Sequence, residues 1–373
     1  MPPATTVVGV SARMDTGPGK IPMQKVWTVV DTGLRPADEN IAIDQAILRT
    51  TGEGLTGPVF RFLHFQECAL LGYHQSAAQE LDLDFCREQG IEVQRRMTGG
   101  GAIIFDPTHL GWEIVCPRDL LPAGDMTRLS EEICEAAVLG LSALGVRAQF
   151  RPRNDIEVEG RKLSGTGGIL DGKALLFQGT VLVELDIPRM LRVLRVPAEK
   201  LDAHAIASVA ERVTSLRTLL GKTPAVEEVQ SALLSGFREH FGWRMDWSAS
   251  LPDAVWDRFP EALKTIRSAE WLGVQDRPRE ELPFRQAVLR TPGGTLRANI
   301  LWDTFGKRIK QLHFSGDYFI QPRRAVVDLE AALRNAHIQD VDGVVQAWFE
   351  RGQIDAFGLE PCHFVQVLRQ AVA

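Results

Sequence analysis

No C-x-x-C pair occurs anywhere in these 373 residues, and the five cysteines, Cys68, Cys86, Cys116, Cys134 and Cys362, are odd in number and scattered. That excludes a zinc ribbon or a disulfide framework and reads as reduced, mostly buried thiols. The N-terminus lacks the sustained apolar core of a secretory signal, and no uncharged run is long enough to span a membrane. Positive charge is not in excess: 42 Lys and Arg stand against 48 Asp and Glu, a net charge of −6. A general nucleic-acid binder is therefore not expected. Internal repeats and low-complexity segments are also missing. What is present is 45% hydrophobic and 24% charged, an ordinary globular composition with length for two domains or three. The expectation is a cytoplasmic protein that uses neither nucleic acid nor membrane.

Residues 1–24 read as a disordered tail. A strand over 26–30 precedes a helix opened by Pro36, with Ile43, Ala46 and Ile47 at helical spacing. Strands follow at 59–65 and 68–72, then a short helix stopped by Gly90. "RRMTGGGAIIF" reads as strand, glycine loop and strand. Leu129, Ile133, Ala137, Leu141 and Leu144 form the apolar stripe of a long helix that Gly145 ends. Residues 147–185 read as strand and 188–242 as helix. Residues 246–265, with three tryptophans in the neighbourhood and prolines at 252 and 260, read as an irregular connector. Strands at 283–290, 295–303 and 307–314, followed by helices at 325–336, 340–350 and 359–371, indicate a separate small domain over 266–373.

Two stretches carry chemistry. Gly99, Gly100 and Gly101 follow Arg95 and Arg96; successive glycines let backbone N–H groups face phosphate oxygens, and arginines add donors. The P-loop spacing is absent, and a strand, not a helix, follows the loop, so it is no dinucleotide fingerprint. A tight turn flanked by surface arginines fits the same letters. In "RNDIEVEGRKLSGTGG", Lys162 sits among glycines after the pair Asn154-Asp155. An exposed hairpin lysine is the ordinary reading of such a residue. The co-occurrence of glycine loop, acidic/amide pair and lysine is what favours a pocket.

"VWTVVDTGLRPADENIAIDQAIL", "LGYHQ", "RRMTGGGAIIFD", "RNDIEVEGRKLSGTGG" and "FQGTVLVEL", in this order, resemble the lipoate–protein ligases of the biotin/lipoate ligase superfamily. The resemblance runs from about 25 to 245 and more weakly through "SAEW" and "GDYFIQP" into 266–373. It implies an α+β protein: a mixed-sheet catalytic domain over 25–245 with helices packed on it, and a smaller C-terminal α+β accessory domain. It also implies ATP-dependent activation of lipoate to lipoyl-AMP and transfer to a lysine of a lipoyl-domain or H-protein-like acceptor, by a monomer.

By the same resemblance, Lys162 meets the acyl carbonyl and α-phosphate, where a fixed ammonium stabilises developing negative charge. Arg96, Gly99, Gly100 and Gly101 match the adenylate-binding loop, and Ile103 and Ile104 read the adenine. Asn154, Asp155, Gly165, Gln178, Gly179 and Thr180 complete the ATP and lipoyl-AMP site, with Asp155 at Mg²⁺. Gly72, Tyr73 and His74 belong to the lipoate pocket. Phe105 and Gln178 stand where many members carry histidine. An octanoyl- or lipoyl-transferase is the nearest alternative, but it needs an activated cysteine, and none lies between Cys134 and Cys362. A non-catalytic binder of lipoate or an acyl-adenylate is the other.

Overall fold

The computed structural model describes residues 25–122, 124–152, 154–195, 203–275, 283–352 and 354–373. The tail expected over 1–24 lies outside them. In chain order the strands are β1 (Trp27–Arg35), β2 (Val59–Phe65), β3 (Cys68–Leu71), β4 (Glu92–Arg95), β5 (Ile103–Phe105), β6 (Leu110–Pro117), β7 (Gln149–Arg151) and β8 (Asp155–Val158). Then come β9 (Arg161–Asp171), β10 (Ala174–Val181), β11 (Met245–Trp247), β12 (Phe284–Thr291), β13 (Gly294–Asp303) and β14 (Arg308–Gly316).

Among the described residues these strands form three sheets. The largest runs β11-β1-β2-β6-β10-β9-β8-β7. Its first two pairings are parallel, and those from β2 onward are antiparallel. Period-two alternation gives it two buried faces. One face presents Phe60, Phe62, Trp112 and Phe177 to Leu129, Ile133, Leu141 and Phe237 of the helices Met126–Ala143 and Val226–Phe241. The first of these helices starts where the Asp125 side chain accepts from the Arg128 N–H, a cap that stabilises by about 1 kcal/mol. The second stops at Gly242, which takes the left-handed conformation at φ 69°.

The other face meets the helix Ala37–Gly52, through Ile41, Ile43, Ala46 and Ile47 against Val59, Val115 and Leu176. Beside it lies the small sheet β4-β3-β5. Its strands β4 and β5 flank the glycine loop and fix where it sits.

Residues 246–265 are not an irregular connector. Met245–Trp247 adds the outermost strand, β11, beside β1, and Asp253–Ile266 is a helix. Val255, Phe259, Ala262 and Ile266 recur at helical spacing and pack on the core around the helix Ala37–Gly52. Pro252 occupies the N-cap, where it is harmless, and Pro260 is tolerated inside the helix because this packing offsets one missing hydrogen bond. The next turn stays with the first domain too, since the Trp271 Nε1–H donates to the Arg95 carbonyl at 3.0 Å. The second domain takes shape from β12 onward.

That domain is the antiparallel sheet β12-β13-β14 with the helices Ala325–Leu333, Val341–Arg351 and Pro361–Val372. Leu296, Ala298, Ile300, Phe314, Leu329, Phe364 and Leu368 form its own core. The mixed-sheet first domain with its α+β addition is the architecture the resemblance implied. No helix among the described residues is long and apolar enough to cross a membrane.

Candidate functional site

The glycine loop lies between β4 and β5, and Arg96 shapes it from beneath. Its Nη2 donates to the Gly99 carbonyl at 2.7 Å and the Gly101 carbonyl at 2.8 Å, and its Nε to Thr98 Oγ1 at 3.1 Å. With its carbonyls drawn toward Arg96, the loop has its N–H groups left to face elsewhere. Burial, with Arg95 adding to it, pushes the Arg96 guanidinium down to about 10, so it stays charged near neutrality. Arg95 is no phosphate donor here. Its Nη1 donates to the carbonyls of Gly72, Tyr73 and Gln75, and its Nη2 to that of Leu272.

A cavity of about 240 Å³ opens beside the loop. One stretch of its wall is apolar: Ile41, Leu63, Phe65, Leu70, Phe105 and Leu182. Phe105 packs on Phe65 at 4.4 Å between ring centres, so this position belongs to the apolar lining. Another stretch is polar and comes from β9 and β10: Lys162, Gly165, Thr166, Gly167, Gln178 and Thr180, with Asn154 beside them.

Antiparallel register explains why these distant residues meet. Asp155 stands opposite Gly165, and Gln178 opposite Gly167. The Asn154 amide donates to the Thr166 carbonyl at 2.9 Å, and the Gln178 amide reaches Thr98 Oγ1 at 3.2 Å, joining β10 to the glycine loop.

Lys162 is neither a free turn lysine nor a sealed charge. Its Nζ lies 2.7 Å from Asp155 Oδ1, and its side chain is 35% exposed. The backbone is fixed on both sides, its N–H donating to the Arg212 carbonyl and its own carbonyl accepting from Thr214. A Cβ on Gly165 would lie 2.9 Å from Nζ, so glycine there leaves the ammonium its place.

Arg96, Gly101, Ile103, Ile104, Asn154, Lys162, Gly165, Gln178, Gly179 and Thr180 all border this one cavity, and Asp155 reaches it through Lys162. Gly179 has a second reason to be glycine: a Cβ there would sit 2.4 Å from Trp112 Cζ2 in the core.

Gly99 and Gly100 are turned the other way, against the second domain. A Cβ on Gly99 would fall 2.5 Å from the Tyr318 carbonyl and one on Gly100 2.8 Å from Phe319 Cζ, and the Gly100 N–H points at the Tyr318 carbonyl at 3.4 Å. Gly72, Tyr73 and His74 do not border the cavity. Gly72 packs on the Gly100 carbonyl, Tyr73 lies under Arg323, and His74 lies under Tyr318. Thr98, Thr166, Gly167 and Leu63 line the cavity without having been singled out; the period-two pattern of β2 and β9 was the signal available for Leu63, Thr166 and Gly167, and the glycine-loop motif itself for Thr98.

Thiols stay away from the cavity surface. Cys134 lies behind the wall, its Sγ 3.4 Å from Thr166 Oγ1. Burial pushes its thiol up to about 12. Cys68, Cys86 and Cys116 are buried, and Cys362 is exposed on the second domain.

The family model described as "Lipoyl protein ligase A/B catalytic domain" matches residues 36–238. The octanoyltransferase LipM of Symbiobacterium thermophilum is 32% identical over 272 residues, 67% of this chain and 97% of the relative. Among solved structures, an archaeal bi-partite lipoate protein ligase, described with its E2 lipoyl domain from Thermoplasma acidophilum, is similar at 26% identity and a TM-score of 0.59, covering 69% of this chain and 100% of that one. A lipoate-protein ligase A bound with ATP is similar at 26% identity and a TM-score of 0.57, covering 67% of this chain and 98% of the other. A glycine loop, a lysine–carboxylate pair and an apolar cavity thus stand on a fold similar to that of these ligase structures, and the chain belongs to the lipoyl protein ligase A/B catalytic-domain family.

Proposed function

We propose that this chain is an ATP-dependent lipoate–protein ligase. The observation that carries the reading is the lack of a usable thiol beside Lys162. A transferase working through an acyl-thioester needs a thiolate facing the carbonyl. Among the described residues Cys134, which touches the Thr166 hydroxyl, is buried and its thiol is held up at about 12, and Cys68, Cys86 and Cys116 are buried as well.

In the proposed reaction a carboxylate oxygen of the fatty acid attacks the α-phosphorus of ATP, the bond to the β-phosphate oxygen breaks, and pyrophosphate leaves. The neutral ε-amine of an acceptor lysine then attacks the carbonyl carbon, the bond to AMP breaks, and the amine's proton passes to solvent. The apolar wall accepts the acyl chain. Gly101 lies on the phosphate side, in a loop whose shape Arg96 holds through the Gly99 and Gly101 carbonyls, and Lys162 meets the oxygens on which charge develops in both steps. Asp155 holds that ammonium in place.

One protein carboxylate beside an amide is a donor set that suits Mg²⁺, which prefers a few carboxylates together with substrate phosphates. Asp155 would hold the ion, whose charge would offset that of the phosphates.

Support also comes from domain content. The archaeal ligase is described as bi-partite, and this chain carries, in one polypeptide, a domain beyond the part that ligase matches. A lipoyl domain is accordingly the acceptor class to offer.

The test gives purified protein lipoate or octanoate, Mg·ATP and a lipoyl domain, and follows acceptor mass. In parallel it offers an octanoyl-carrier protein without ATP. Modification only with ATP, retained within about twofold by Cys134→Ala, is the expected result. Transfer from the carrier protein that Cys134→Ala abolishes would make the chain a transferase.

Gly100→Val is expected to weaken nucleotide binding about 10–100-fold by calorimetry. At φ 91° a β-branched residue is strained, by about 1–3 kcal/mol, and its side chain, crowding Arg96 and Phe319, would shift the loop and with it Gly101 at the cavity. Unchanged affinity in the folded variant would remove the loop from the site.

A further inference from the structure

His74 takes no part in the cavity, yet it is sealed at the joint between the two domains. It is 2% exposed. Its ring stacks on that of Tyr318 at 4.8 Å between centres, with Tyr73 edge-on at 5.1 Å. The His74 carbonyl accepts from the Gly316 N–H at 2.9 Å, while its Nδ1 has no partner. Tyr318 and Phe319, which cover His74 and the glycine loop respectively, are adjacent residues, so the two contacts open or close together.

The groups around the ring are mostly cationic. Arg95 of β4 clamps the carbonyls on either side of it, and Arg323 of the second domain lies over Tyr73 at 4.8 Å. His313 of β14 stands beside Glu330 at 3.4 Å, and the nearby Glu80 is bound to Arg297 at 2.7 Å. Both carboxylates are thus already engaged, and neither forms an ion pair with His74.

We propose that seating of the C-terminal domain on the glycine loop is proton-linked through His74. The domain docks on the neutral imidazole, and protonation of the ring releases Tyr318 and Phe319 from the loop. The ligand would be the proton itself, and the consequence is acid-driven exposure of Gly99 and Gly100.

The sign follows from the ring's two environments. In the docked state it is pushed from 6.5 down to about 3, first by burial and then by Arg323, Arg95 and His313. With the domain lifted away it returns to the ordinary histidine range. Docking is therefore at full strength above about pH 6.5 and weakens as pH falls from there toward 3. Between pH 8 and pH 5 the opening equilibrium grows about 30-fold.

Hydrogen exchange on the full chain measures openings too rare to see directly. The informative amides are Gly316, bound to the His74 carbonyl, and Gly100, which faces Tyr318. After correction for the intrinsic pH dependence, their protection is expected to fall about 30-fold from pH 8 to pH 5, while that of the helix Met126–Ala143 holds. His74→Gln should make their protection independent of pH, and His313→Gln should leave the fall in place. The proposal is overturned if wild-type protection does not change, if His74→Gln shows the same fall, or if His313→Gln abolishes it. A ring titration of His74 by NMR near 6.5 in the intact protein would also overturn it, with no variant needed.

Discussion

Lys162→Ala is expected to give a folded protein whose lipoylation rate is about 10²–10³-fold lower, the usual consequence of deleting one preorganised donor at developing charge. Folding should survive because the backbone at 162 is held by Arg212 and Thr214, not by the side chain. The side chain itself is one-third exposed, and its ion pair with Asp155 adds little to stability. No substitute cation is at hand. Among the described residues Arg96 is the other cation bordering the cavity, and its donors are committed to the carbonyls of Gly99, Gly101 and Leu70. The measurement is acceptor mass against time at saturating ATP, with circular dichroism as the check on folding. A near-normal rate would return Lys162 to an ordinary hairpin lysine.

The largest stability effect is expected at Arg61. This residue is fully buried on β2, bonded to Asp44 of the helix Ala37–Gly52 and 2.8 Å from Glu113 of β6. Two carboxylates and one guanidinium would leave a net negative charge in the core, and burial pushes the Glu113 carboxyl well above its ordinary value. Removing the only cation while leaving both acids costs about 3–5 kcal/mol.

Arg61→Met should therefore lower the unfolding free energy by that amount, shifting the urea midpoint down with an unchanged slope. Replacing all three residues by apolar ones should recover most of it. Because the folded-state value of Glu113 is raised, its own contribution is complete below about pH 4.5 and is lost as pH rises. A single variant as stable as wild type would mean that water reaches this triad.

How much of this was legible beforehand varies with the kind of signal. The span of β2 was readable to the residue, since apolar runs bounded by glycine and proline mark buried strands. Asn154, Lys162, Gly165 and Gln178 were grouped beforehand through the resemblance, and all four border one cavity.

The helix Asp253–Ile266 was misread because Pro252 at its N-cap, and Pro260 and Trp256 within it, obscured the 255, 259, 262, 266 stripe; packing on a neighbouring helix overrode local propensity. Tyr73 and His74 were assigned to the acyl pocket, yet they face a surface contributed some 240 residues later, which no local pattern reveals. The Arg61 triad was invisible for a similar reason. A lone arginine in a strand reads as solvated until its two acids arrive from other elements.

The outer edge of the large sheet has a bearing on how the polypeptide acquires this shape. β1 is synthesised before every other strand of the large sheet, but Met245, its register partner, emerges only after all of them. Until then Trp27 lacks the stacked ring of Trp243, 3.8 Å away in the finished protein. A nascent chain arrested before residue 243 would display an unpaired strand and a bare indole, both sticky. Closing so long a loop late makes assembly slow and leaves that edge open to self-association, so the ribosome-bound intermediate, more than the mature enzyme, is the species for which chaperone protection would matter.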